Sequence, residues 1–180
     1  TILVGNIAGE FNIPSYQRGY RWGVDEVTRL LDDIYSNGSK PYCLQPVVVQ
    51  KKNDKYELID GQQRLTTLFI LLQYIKRESN LPIVTQYKLS YDTRKNSEQY
   101  LADIKEDEAE KNIDYFHICQ AYKTIDKWFK ERENYGPLKK GRPSKWLFPT
   151  FSKSGHISRI TFFNQLKNIA VSVGIDPKRV

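Results

Sequence analysis

Val24, Val27, Leu30, Leu31 and Ile34 recur at steps of three and four, the period that lines one face of an α-helix. Asp25 and Glu26 stand in the first turn, where the helix dipole favours acids, and Gly38 is the expected stop. Residues 46–50 and 56–59 read as short strands, with Asn53-Asp54 marking the turn of a hairpin between them. The next segment, 65–75, carries Leu65, Leu68, Phe69, Leu72 and Ile75 on one face and Ile70 and Leu71 on others. Such a pattern predicts a central helix buried nearly all round. Tyr115, Ile118, Tyr122, Ile125 and Phe129 then predict a long amphipathic helix over 112–133, with His117 and Trp128 beside the stripe as core or boundary residues rather than ligands. Gly136-Pro137 breaks it. Beyond, Ile160, Phe163, Leu166, Ala170 and Val173 predict a further amphipathic helix over about 157–173, ended by Gly174. The expected class is α+β, a small sheet with packed helices followed by a helical C-terminal segment.

Between the second predicted strand and the central helix lies Asp60-Gly61-Gln62-Gln63-Arg64-Leu65-Thr66-Thr67. A strand-to-helix junction exposes unpaired backbone N–H groups at the positive end of the helix dipole. Gly61 allows close approach to the backbone, and Arg64 adds a forked donor suited to phosphate. The bland alternative is that Asp60 caps the helix and the rest is a solvated first turn. Four successive functional side chains before the first apolar one favour a ligand cradle. Upstream, Ile13-Pro14-Ser15-Tyr16-Gln17-Arg18-Gly19-Tyr20-Arg21-Trp22 alternates arginines with aromatics. It reads either as a holder of planar anions or as a surface arm with packed rings and solvated arginines.

Composition narrows this picture without deciding it. The 180 residues are 39% hydrophobic and 13% aromatic, enough for a core, and the net charge of +7 with a pI near 9.3 favours a polyanionic partner. Cys43 and Cys119 match no metal or redox spacing, so no metal site is predicted and a reduced, cytoplasmic setting is expected. No apolar run reaches membrane-spanning length. A start at Thr1 and a lack of methionine point to a piece of a longer protein.

The two polar segments together carry a family resemblance. F-x-I-P-S-Y-Q-R-G-Y-R-W, followed by Y-E-L-I-D-G-Q-Q-R-L-T-T-L and by Leu89-Ser90-Tyr91-Asp92-Thr93-Arg94, resembles the N-terminal domain of GmrSD-type restriction endonucleases (the domain of unknown function 262 family), similar in fold to ParB and sulfiredoxin. The resemblance covers about residues 10–135. Gln45-Pro46 departs from it, since the family commonly has a glycine there. The resemblance implies a module that binds and hydrolyses nucleoside triphosphate with Mg2+ in modification-dependent restriction, that is anti-phage defence acting on DNA. Cutting would fall to a missing nuclease module or partner chain, because His117 and His156 form no HNH-like cluster. On this basis Gln17, Arg18, Gly61, Gln63, Arg64 and Thr66 are expected to bind nucleotide. Asp60, Gln62, Gln63 and Arg64 are expected to serve catalysis: Asp60 positions a divalent ion or the attacking water, Gln62 or Gln63 orients that water, and Arg18 offsets charge on the transferred group.

The expected organisation is a nucleotide-binding domain over 1–135 and, over 136–180, a basic linker plus a helical tail. Lys139, Lys140, Arg142 and Lys145 are the candidate DNA contacts. Gly141-Arg142-Pro143 is similar to an AT-hook, with Lys140 where an arginine is usual; the plain alternative is a solvated linker. Residues 138–180 resemble a fragment of the catalytic domain of XerD-type tyrosine recombinases that stops before the catalytic residues. Such a fragment has to dock on the first module, pair with another chain, or remain loosely ordered. Two other functions stay open: a non-catalytic DNA-binding module, and a decayed fusion without activity.

Overall fold

The computed structural model describes residues 2–38, 42–79, 86–134, 159–167 and 169–175. Its elements in order are β1 (Ile2–Leu3), β2 (Gly9–Ile13), α1 (Val24–Asn37), β3 (Cys43–Lys52), β4 (Lys55–Asp60), α2 (Gln62–Ser79), β5 (Tyr87–Tyr91), α3 (Ser97–Ala102), α4 (Ile113–Asn134), α5 (Arg159–Lys167) and β6 (Ala170–Ile175). Short 3-10 turns occupy Val4–Asn6 and Glu106–Lys111. The strands form one mixed sheet in the order β1-β6-β3-β4-β2-β5. The α+β class expected from the pattern is therefore the class observed.

Helix α1 begins where Glu26 reaches back to the Gly23 N–H (2.9 Å) and ends at Gly38 with φ +58°, as its acidic first turn and terminal glycine predict. The β3–β4 hairpin turns at Asn53, whose φ of +54° is tolerated best by Asn and Gly. Strand β3 starts three residues earlier than the sequence pattern suggests. The cause is Pro46, which lacks an N–H and interrupts the strand: the β3–β6 register shifts between Leu44 and Val47.

Helix α2 is the centre of the core, as predicted. Leu65, Leu68, Phe69, Ile70, Leu71, Leu72, Tyr74 and Ile75 are all buried, on every side of the helix. Helix α4 starts on Asn112, whose Oδ1 accepts the N–H groups of Asp114 (3.0 Å) and Tyr115 (2.9 Å). It then buries Ile118, Ile125, Trp128 and Phe129.

The C-terminal segment departs from expectation. In place of one helix over 157–173, α5 ends at Lys167 and the chain re-enters the sheet as β6, parallel to β3 and antiparallel to β1. Val171, Val173 and Ile175 alternate at the strand period within a stretch whose apolar spacing also fits a helix, and the unpaired edge of β3 decides between the two. Of the three fates open to the tail, docking is the one observed. Phe162 is fully buried against Trp128 (5.2 Å between ring centroids) and Phe129 (5.1 Å), and Leu166 and Ile169 are buried with it.

Candidate functional site

Strand β2 ends at Ile13, just before Pro14, and its pairing with β4 stops at Asn12, so the end of β4 has no strand partner on the β2 side. Gln17 fills the gap, its Nε2 donating to Leu58 O (2.7 Å) and Ile59 O (2.9 Å). The loop from Pro14 to Trp22 is thereby laid across the end of β4, beside the start of α2. Between them opens a cleft of about 520 Å3 lined by Tyr16, Gln17, Arg18, Trp22 and residues 59–64, within the usual size range of ligand pockets. The two polar segments of the sequence meet here.

At the helix start, Leu65 N–H donates to Gly61 O (3.0 Å), the first bond of α2. The N–H groups of Gln62, Gln63 and Arg64 thus precede the helical ladder, and these three residues line the cleft at the positive end of an 18-residue helix. Asp60 Oδ1 accepts the Gly61 N–H (2.7 Å), so its carboxylate caps the junction rather than the helix. Gly61 has φ +86°, and a Cβ there would stand 3.0–3.2 Å from Val47 and Pro46 O. Its lack of a side chain serves the close passage of β3, where the sequence suggested room for a ligand.

The glutamines brace the loop. Gln62 Nε2 donates to Arg18 O (2.8 Å) and Gln63 Nε2 to Gly19 O (3.0 Å), while Gln63 Oε1 accepts from the N–H groups of Arg21 (2.8 Å) and Trp22 (3.2 Å). Gln62 Oε1 is buried without a hydrogen-bond partner among the described residues. Neither amide oxygen faces solvent in a position to orient a water. Gln17 has likewise committed both amide protons. Thr66 is fully buried, with Oγ1 2.9 Å from Tyr91 Oη; it packs the core and lies away from the cleft surface. Where nucleotide contacts or water orientation were expected, the amides of Gln17, Gln62 and Gln63 are engaged with the backbone of β4 and of the loop, and Thr66 with the Tyr91 hydroxyl.

The two arginines remain. Arg18 is exposed in the cleft and its side chain makes no hydrogen bond or ion pair to any described residue. Arg64 Nη1 donates to Gln45 O (3.1 Å) and Pro46 O (3.2 Å), and Nη2 to Gln45 Oε1. Gln45 and Pro46 lie where the β3–β6 register shifts, so the Gln45-Pro46 departure and Arg64 form one local unit. Partial burial lowers the Arg64 pKa, and the Asp60 charge opposes that shift. Three of its five N–H donors are engaged, leaving two that a phosphate can take.

Tyr16, Trp22 and Ile59 also line the cleft, although sequence reasoning did not name them as site residues; the aromatic alternation around Arg18 was their signal. A second omission is Asp114 on α4. It is 3% exposed and pairs with both Arg21 and Arg94, the latter at 2.6 Å. Nothing in the sequence pairs positions 21, 94 and 114. Lys139, Lys140, Arg142 and Lys145 lie outside the described residues. Among the described residues, no group of three or more His, Cys, Asp or Glu could hold a metal ion, and no helix is long and apolar enough to cross a membrane.

The model of the family "GmrSD restriction endonuclease, N-terminal domain" matches residues 1–173. The chain belongs to this family. The GmrSD N-terminal match extends well past residue 135, through α5 and into β6, in keeping with one continuous sheet. The module is thus of the restriction, phage-defence type. A second and shorter similarity is to tyrosine recombinase XerD of Bradyrhizobium diazoefficiens, 49% identical over 37 residues in the C-terminal region. It covers 21% of this chain and 12% of that protein's length, the extent of a fragment.

Proposed function

We propose that the cleft binds a nucleoside triphosphate and promotes its hydrolysis, as the nucleotide-dependent module of a cytoplasmic, modification-dependent restriction system acting on DNA. The observation that carries this reading is the convergence of Arg18, Arg64 and the N-terminus of α2 on one cleft. Each is an anion-binding device, and a triphosphate offers oxygens to all three. The exposed Tyr16 ring and the half-buried Trp22 ring beside them supply flat apolar surface for a base.

The chain's own residues would act as follows. The α2 N–H groups and the two uncommitted Arg64 donors hold phosphate oxygens, and Arg18 moves onto the charge that develops on the transferred group. Asp60 is the one carboxylate among the described residues that line the cleft. A lone carboxylate fits Mg2+ that arrives on the triphosphate, because this ion is commonly held by one or two carboxylates plus substrate oxygens. Mg2+ would neutralise phosphate charge, and Asp60 Oδ2 would take a water or an ion. The glutamines keep the Arg18 loop on the helix start. DNA contact would come from Lys139, Lys140, Arg142 and Lys145 and be dominated by phosphate positioning, while cutting requires a separate nuclease module.

The test is a thermal-shift and calorimetric screen of the four ribonucleoside triphosphates with Mg2+, followed by phosphate release. At least one nucleotide should raise the melting temperature, and Arg18→Ala should reduce that shift. A protein that binds DNA while no nucleotide protects it would instead favour a non-catalytic DNA-binding module.

A further inference from the structure

The loop that carries Arg18 has no secondary structure between Ile13 and Val24 apart from a turn, so its position depends on side chains from elsewhere. Two sets of contacts are already assigned: Gln17 to β4, and Gln62 and Gln63 to the loop backbone. Both come from the cleft's own walls. The third comes from α4 on the other side. Asp114 accepts from Arg21 Nη1 and from Arg94 Nε (2.6 Å), and its carboxylate packs so closely on Gly19 that a Cβ there would overlap it. Gly19 and Arg21 flank Tyr20, whose Oη is bonded to Thr67 Oγ1 (2.8 Å) in the core.

We propose that Asp114 is a positioning residue for the cleft: gripping Arg21 and seating Gly19, it fixes the loop so that Arg18 stands over the start of α2. This rests on the reading of the cleft as a phosphate site. Chemically the arrangement sorts the loop's two arginines. Arg21 spends its charge on a buried carboxylate, where an unpaired partner would be strongly unfavourable, and Arg18 is left for the ligand. Arg94 supplies a second donor, on the other carboxylate oxygen, that holds the Asp114 side chain in place independently of Arg21. The sequence's alternation of arginine and aromatic residues is therefore a division between anchor and ligand contact.

The test separates loop position from ligand binding. Amide hydrogen exchange at Arg21 and Trp22 should be slow in the wild type, since both N–H groups are bonded to Gln63 Oε1. It should accelerate at least tenfold in Asp114→Asn and in Arg21→Gln, with the core amides of Leu68 and Ile125 unchanged. Arg21→Gln keeps the Asp114–Arg94 pair and so covers the case in which Asp114→Asn does not fold. Tripolyphosphate, which has no base, is the binding probe. Arg18→Ala should weaken its affinity on the order of tenfold in the wild type but less than threefold in the Arg21→Gln background, where Arg18 is no longer placed. A merely structural Asp114 would leave the Arg18 effect undiminished in the folded fraction, and that result overturns the inference. Unchanged exchange at Arg21 and Trp22 overturns it as well. If the wild type binds no tripolyphosphate, the proposed function fails, and the exchange rates alone decide for or against the positioning role.

Discussion

At Arg64 one guanidinium serves both strand and cleft. Its bonds to the carbonyls of Gln45 and Pro46 fall where the β3–β6 register shifts, and its remaining donors are the ones offered to a ligand. Arg64→Ala should therefore do two things: lower stability by about 0.5–1.5 kcal/mol, the net worth of hydrogen bonds to exposed carbonyls that water can replace, and weaken nucleotide binding. Arg18→Ala removes only the second effect's counterpart, because its side chain holds nothing else, and stability should stay within about 0.5 kcal/mol of wild type. Urea denaturation beside calorimetric titration of both variants checks this; equal stabilities would mean that Arg64 is no strut. Gly61→Ala places a side chain at φ +86° against Val47 and Pro46. It should cost about 1–3 kcal/mol of stability even without any ligand, read in the same denaturation experiment.

Among elements, β6 and α5 make the sharpest prediction. Phe162 is fully buried between the rings of Trp128 and Phe129, so Phe162→Ala should destabilise the protein by about 3 kcal/mol, with loss of a single cooperative urea transition counting against the docked arrangement. The elements that the sequence made legible were those whose pattern admits one period: α1 with its acidic start and glycine stop, the hairpin at Asn53-Asp54, and α2 with apolar residues all round. The tail was misread because 160, 163, 166, 170 and 173 satisfy a helix while 171, 173 and 175 satisfy a strand, and only the open edge of β3 selects. In the site, the meeting of the two polar segments followed from their residue types. The split of those residues into struts and ligand contacts did not, because it depends on which backbone groups of the loop, β3 and β4 the fold brings within reach of each side chain. Asp114 was invisible for a simpler reason, since its partners lie 93 and 20 residues away.

Across the whole molecule, three buried tyrosines set the height of α2 against the sheet, and with it the helix start that lines the cleft. Tyr87 Oη donates to Leu65 O (3.1 Å), Tyr91 Oη pairs with Thr66 Oγ1 (2.9 Å), and Tyr20 Oη pairs with Thr67 Oγ1 (2.8 Å). Three consecutive helix residues are thus tied to β5 and to the Arg18 loop. Burial raises the pKa of each phenol well above its ordinary value near 10, so the folded protein holds them neutral while the unfolded chain ionises them from about pH 10 upward. The unfolded state then binds fewer protons than the folded one, and stability falls as pH rises. Their contribution is fully present below about pH 10 and is lost progressively above it. Alkaline titration should show Tyr20, Tyr87 and Tyr91 ionising only together with unfolding. Tyr20→Phe should shift that alkaline unfolding toward higher pH while loosening the loop at neutral pH, because it removes one ionisable phenol and one tie to Thr67. Independent, reversible titration of all tyrosines near their ordinary value in the folded protein would mean that the phenols do not hold α2 in place.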